Sequence, residues 1–229
     1  MARSGEEEAH VPPPLDAEQR WAHTIAARST RAHGQRTLVK LLDAAVAEFA
    51  AYGWHGARMA RLAKRAGTAH GTVYAYFADK DDLLFALEQD VAGEFRASLM
   101  KMPDLLPGPE GLEVLKAWTQ EACATFRMHA PVLHAISEAL NDEEDSQAGR
   151  AALRGQRKVL SVFADRIRAT GVGRIDPEMA ALSIHALIEG SNESMHRNEL
   201  FVSEEELYIG LAEFVHRSIF GSDQSMADA

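Results

Sequence analysis

Residues 61–80 read RLAKRAGTAHGTVYAYFADK, and the stretch divides at Gly67. Before the glycine, Met59, Leu62, Ala63 and Ala66 repeat at three- and four-residue intervals, the spacing of one apolar helical face. After it, TAHGTVYAYF is long enough for about two helical turns, with Val73, Tyr74 and Phe77 placed to pack inward. Glycine accepts the left-handed conformation that closes a helix, so the stretch is two short helices joined by a tight turn. The second helix carries almost no long polar side chain. Its tip is Ala69, His70, Gly71 and Thr72.

Upstream, Leu38, Leu41, Leu42, Ala45, Val46 and Phe49 predict an amphipathic helix over residues 37–51, closed by Gly53. Downstream, Asp79 is placed as an N-cap with Asp82 in the capping-box position, and no proline interrupts the chain from there to about Met100. Beyond the Pro/Gly-rich break PDLLPGPEG, helices are expected over residues 112–128, from Pro131 to near Asn141, up to about Thr170, over 178–195 and over 204–220. NDEEDSQAG reads as a solvated acidic loop or helix start. About nine helices and no strand make an all-α protein.

At the start, an acidic run and Pro12-Pro13-Pro14 predict a disordered tail to about Leu15. Asp16 then caps AEQRWAHTIAARST, a helical or partly ordered arm with Trp21 and Ile25 on one face. The expected division is residues 1–35 arm, 36–82 a small helical domain, 83–222 a helical body and 223–229 a disordered tail.

The formal net charge is −10, which taken alone argues against a nucleic-acid partner. Its distribution reverses that. From Asp16 to Lys80 ten basic residues stand against five acids, while everything after Lys80 carries −13. A basic N-terminal third on an acidic body is the asymmetry of a nucleic-acid-binding module joined to something else. The single cysteine, Cys123, excludes an internal disulfide, the N-terminus lacks the apolar core of a signal peptide, and no apolar run approaches the roughly 20 residues needed to span a bilayer. The expectation is a cytoplasmic protein without a membrane partner.

The order LLDAAVAEF, Gly53-Trp54, LAKRAG, GTVYAYF and DKDDLL resembles the DNA-binding domain of the TetR family of bacterial transcriptional repressors. The resemblance implies an N-terminal helix-turn-helix domain, a C-terminal ligand-binding and dimerisation domain, and a homodimer on a near-palindromic double-stranded operator. It makes residues 70–76 the recognition helix, whose small tip suits close approach to base edges. The implied DNA-binding residues are Arg36, Arg58, Arg61, Thr68, Ala69, His70, Gly71, Thr72, Tyr74, Ala75, Tyr76 and Lys80. Tyr74 and Tyr76 would bring hydroxyls to the groove edge, the Tyr74 ring packing inward, and Lys80 would hold a phosphate at a helix N-terminus.

The chain departs from the family pattern at two caps. Ala57 and Arg58 stand where a hydroxyl residue usually caps the second helix, and Thr68-Ala69 stand for Val-Ser. Arg58 and Arg61 can replace the lost hydroxyls with charge, and Thr68 can take over the cap. In the arm, Arg28, Arg31 and Arg36 follow the DNA backbone, enter an adjacent minor groove, or are incidental to DNA binding.

For the body the resemblance implies a small, largely apolar effector. Trp118, Cys123, Phe126, Met128, His129, Leu133, His134 and Phe163 are candidates to line its pocket, though each suits a plain core better, since mixed apolar helices need such residues anyway. Residues 178–195, with Leu182, Ala186 and Ile188, and residues 204–220, with Leu207, Leu211, Phe214 and Val215, would form the dimer. His134 with Glu138, and His185 with Glu189, are His-x-x-x-Glu pairs, a spacing that can hold a metal but that also recurs on solvated helices; no metal and no cofactor is expected. The rival class, a helical enzyme or an interaction module that does not bind DNA, lacks support from a phosphate loop, a metalloprotease motif or an activated Cys123.

Overall fold

The computed structural model describes residues 17–29, 31–142, 146–172, 175–196 and 202–221. The acidic tip, the three prolines, the heart of the acidic loop at 143–145 and the tail at 223–229 lie outside the described residues. Within them the chain forms ten helical segments and no strand.

Two short pieces, α1 (Ala17–Arg20) and α2 (Ala22–Arg28), precede α3 (Ala32–Gly56), α4 (Met59–Arg65) and α5 (His70–Tyr76). Helix α6 (Lys80–Met100) follows, then α7 (Gly108–Asp142), α8 (Gln147–Ala169), α9 (Pro177–His196) and α10 (Glu204–Phe220). Helix α3 starts five residues before the expected position 37 and runs on past Gly53, which takes φ 62° and ψ −174° and breaks the helical path. That conformation is open to glycine alone at little cost, and it turns Trp54 back into the core at 5% exposure.

The largest difference from the sequence reading is α7. Two helices were expected on either side of Pro131, and the structure has one, with Pro131 inside it. Proline removes one helical hydrogen bond. Here Val132, Ala135, Ile136 and Ala139, all buried, hold the following turns against the N-terminal core, so tertiary packing overrides the break.

Leu38, Leu41, Leu42, Val73, Phe77 and Leu84 of the N-terminal helices share one apolar cluster with those α7 residues and with Ala148 of α8. The expected arm is part of this cluster. Trp21 and Thr24 are each 1% exposed, and Asp90 of α6 accepts from the His23 and Thr24 backbone amides. A second cluster, with Leu99, Leu115, Phe163, Ile167, Ile184, Ile188 and Val215, fills the body.

Asp79 caps α6 by accepting from Asp82 N at 2.8 Å. Asp82 does not reach back to its cap; it accepts from Ala78 N and pairs with Arg28. Asp81 in the same turn accepts from Ser146 Oγ and Gln147 N, tying the start of α6 to the start of α8.

Candidate DNA interface and ligand cavity

Helices α4 and α5 meet at Gly67 (φ 66°), with Val73 and Phe77 of α5 fully buried beneath them. The opposite face of α5 is open. Ala69, His70, Gly71, Tyr74 and Ala75 are exposed, while Thr68, Thr72 and Tyr76 are half-buried. No side chain caps α5: Ala69 is the N-cap residue, and the Thr68 hydroxyl turns back to Ala63 O at 3.5 Å. Thr68 therefore does not take over the cap, and within the first turn of α5 Thr72 N donates to Ala69 O at 2.9 Å. The Tyr74 ring is 48% exposed and meets His70 edge-on at 5.0 Å, so it lies outside the core that the sequence reading assigned it to. Tyr76 directs its hydroxyl to Gly34 O at 3.4 Å, which places it against α3 instead of the groove edge.

Of the two arginines expected to replace lost hydroxyls, the structure leaves only Arg58 exposed. Arg61 is engaged inside the domain: Nε donates to Glu48 Oε1 at 2.6 Å, Nη2 donates to Gly56 O at 2.5 Å, and the guanidinium lies 3.7 Å from the Tyr52 ring centroid. Hydrogen bonding to Glu48 raises its pKa above the ordinary value. Glu48 is 1% exposed and also accepts from Arg58 N, so a carboxylate from α3 supplies the α4 cap that the sequence lacks. Lys80 donates to Trp54 O at 2.6 Å and sits 4.0 Å from the Trp54 ring, beside the recognition unit at the start of α6. Arg36 is exposed. Arg28 is not available to DNA, since it pairs with Asp82 and donates to Tyr76 O at 2.7 Å.

In the body a cavity of about 270 Å³ opens between α6, α7 and α8, lined by Val91, Phe95, Leu99, Phe126, Leu133 and Val159 among others. A smaller void of about 60 Å³ continues it past Trp118 and Phe163. Of the eight sequence candidates, Phe126 and Leu133 line the main cavity, Trp118 and Phe163 its extension, and His134 an adjoining groove. Cys123, Met128 and His129 line none of these spaces. Cys123 is buried beside Leu207 and Leu211, and burial pushes its thiol up; His129 is buried against Glu94 at 3.0 Å; Met128 faces outward at 40% exposure. The missed residues lie mainly on α6 and α8. Their apolar stripes are visible in the sequence, but which stripe borders a void depends on how the helices diverge.

Glu88 is the buried acid of this cavity, 4% exposed, and desolvation raises its pKa. The folded state then holds the proton to higher pH than the unfolded chain, so this group's contribution is fully present below its unfolded pKa and is lost as pH rises through the folded one. Glu88→Gln is expected to melt above the parent protein at neutral pH, with the difference closing toward pH ~4. Melting curves across that range check it.

The sequence profile described as "Bacterial regulatory proteins, tetR family" matches residues 41–87, the span of α3 to α6 that carries this recognition unit. Over this span the chain matches the TetR family. A relative, the fatty acid metabolism regulator protein of Bacillus subtilis, is 40% identical over 57 residues, which cover 25% of this chain and 29% of that protein. A TetR-like transcriptional regulator from Rhodococcus sp. RHA1 superposes with a TM-score of 0.64 at 20% identity, covering 85% of this chain and 100% of that one. The transcriptional regulator FadR from Bacillus subtilis, solved in complex with stearoyl-CoA, gives a TM-score of 0.61 at 18% identity over 81% of this chain and 99% of that one. At these identities the solved structures establish the shared fold.

Helices α9 and α10, expected from the resemblance to form the dimer, carry apolar residues of two kinds. Ile188, Leu207, Leu211 and Val215 are buried in the subunit's own core, so they are not the dimer face. Met179 at 59%, Leu182 at 46% and Phe214 at 57% exposure stand outward, with Ala186, Gly190 and Gly210 on the same faces. Among the described residues no group of three or more His, Cys, Asp or Glu is arranged to hold a metal ion, and no helix is long and apolar enough to cross a membrane.

Proposed function

We propose that the protein is a homodimeric, cytoplasmic transcriptional repressor that a small, largely apolar effector releases from a near-palindromic operator. The observation that carries this reading is the span of α6. Its first residue, Lys80, stands beside the recognition unit, and its second half contributes Val91, Phe95 and Leu99 to the cavity wall. A ligand that packs against those residues acts on a rod whose other end sets the position of α5. Only a spacing of about one helical turn, roughly 34–36 Å, lets both recognition helices of a dimer bind at once. The apolar lining supports an apolar ligand, as does the stearoyl-CoA held by the FadR structure. The domain division that fits this reading places residues 36–82 as the DNA-binding unit and 83–222 as the sensing and pairing unit, with α2 packed on both.

The proposed DNA contacts are the exposed tip residues Ala69, His70 and Gly71, the half-buried Thr72, and Tyr74, Ala75, Arg58, Arg36 and Lys80 around them. Electrophoretic shift of genomic fragments at two salt concentrations, followed by sequencing of those retained, tests the reading. Binding that does not weaken with salt would overturn it. Lys80→Ala is expected to weaken all sequences alike and to reduce the log–log salt slope by about one unit per subunit. A changed sequence preference at constant slope would mean that Lys80 reads bases.

A further inference from the structure

Between α7 and α9 a groove of about 60 Å³ adjoins the main cavity, with which it shares Phe126, Leu133, Ser137 and Glu189. Its polar lining is one-sided. Glu189 and Glu193 contribute carboxylates, and among the described residues no lysine or arginine lines it; Arg96 and Lys158 border the larger cavity only. Asn192, on its wall, is 5% exposed. The Asn192 Nδ2 donates to Ile188 O at 2.8 Å and lies 3.6 Å from Cys123 Sγ, which fixes the nitrogen end of the amide. The other end, Oδ1, is buried with no partner. An orphaned acceptor beside two carboxylates and an aromatic ring is a site built for a donor that carries positive charge.

We propose that this groove is an ammonium subsite, so that the effector is an apolar molecule ending in a primary or secondary amine. The inference rests on the reading of the main cavity as the effector site. The apolar part lies along Phe95, Leu99 and Phe126, and the ammonium donates to Asn192 Oδ1 and to Glu189 or Glu193. A quaternary ammonium has no N–H and leaves the amide oxygen orphaned. A carboxylate or phosphate head meets two like charges there.

The same contacts connect the subsite to the DNA-binding domain. His134 stands between Glu193, at 3.8 Å, and Glu138, at 3.3 Å, and Glu138 Oε2 accepts from Trp54 N at 2.5 Å. An ammonium that engages Glu193 competes with His134 for it and so alters the partner of the carboxylate that grips the Gly53–Trp54 turn.

The test uses decylamine, decanol and decanoate, three probes with one chain length, titrated into the full-length protein below their aggregation concentrations and followed by tryptophan fluorescence. Decylamine is expected to bind at least about tenfold tighter than decanol, and decanoate more weakly than either. Glu193→Gln and Asn192→Leu are each expected to remove most of the decylamine advantage while the decanol affinity moves by less than about twofold. Glu193→Gln, at a partly exposed position, keeps the test intact if Asn192→Leu does not fold. Decanoate binding as tightly as decylamine, no binding of any probe, or variants that weaken all three alike would each overturn the subsite. Decylamine that binds in the predicted order but leaves DNA affinity unchanged keeps the subsite and overturns the effector reading instead.

Discussion

Phe214→Asp is expected to sediment as a monomer at micromolar concentration and to lose operator affinity by a factor on the order of 10³, the scale that separates specific from non-specific DNA binding. Phe214 is 57% exposed in the subunit, so the substitution costs the monomer little and its circular dichroism should match the parent's. If the exposed faces of α9 and α10 pair, Phe214 would join Met179 and Leu182 there, and two aspartates would be buried without partners. One helix-turn-helix unit covers a half-site alone, so operator affinity depends on the pair. A variant that stays dimeric, or a monomer that keeps parental affinity, would show that the pairing surface lies elsewhere.

Gly53→Ala is expected to destabilise the protein by about 2–5 kcal/mol, from two separable causes. At φ 62° and ψ −174° the backbone is strained for any residue with a Cβ. That Cβ would also stand 2.8 Å from Glu138 Oε2 and push the carboxylate off Trp54 N. Glu138→Ala removes only the second cause and should cost about 1–3 kcal/mol. For a chain of this size the Gly53→Ala loss corresponds to a melting temperature roughly 5–15 °C lower. Equal losses in the two variants would mean that the backbone conformation contributes nothing. A Gly53→Ala protein that melts like the parent would remove the Glu138 grip from the account altogether.

The all-α fold and the recognition unit were legible because they are written in local signals: three- and four-residue apolar spacing, Gly67 at the turn, Asp79 at a cap. The continuity of α7 was not, because Pro131 is a local break that only contacts with distant helices overcome. The charges were harder still. Arg61 reads as a cation free for phosphate and Arg28 as one that either meets DNA or is incidental, yet their partners, Glu48 and Asp82, lie 13 and 54 residues away and come near only in the fold. Of the pocket candidates, the aromatic ones, Phe126, Trp118 and Phe163, border empty space, whereas Cys123 and His129 lie in the packed interior. Polarity patterns tell which side of a helix faces inward, and they carry no information on whether that side meets another side chain or a void.

Helix α6 is held on two opposite sides. Thr24 donates to Ala86 O at 3.0 Å and the α2 amides donate to Asp90, while Val91, Phe95 and Leu99 face the cavity. The arm that makes the first set of contacts precedes the span matched to the family. It acts as a preload on the rod, and an effector that displaces α6 has to work against it as well as against DNA. Part of the intrinsic affinity is spent in that displacement, so the apparent dissociation constant is set partly by residues that never touch the ligand. Sensitivity to the effector can then be tuned at Trp21, Thr24 or Asp90, far from the cavity, with its chemical selectivity left as it was.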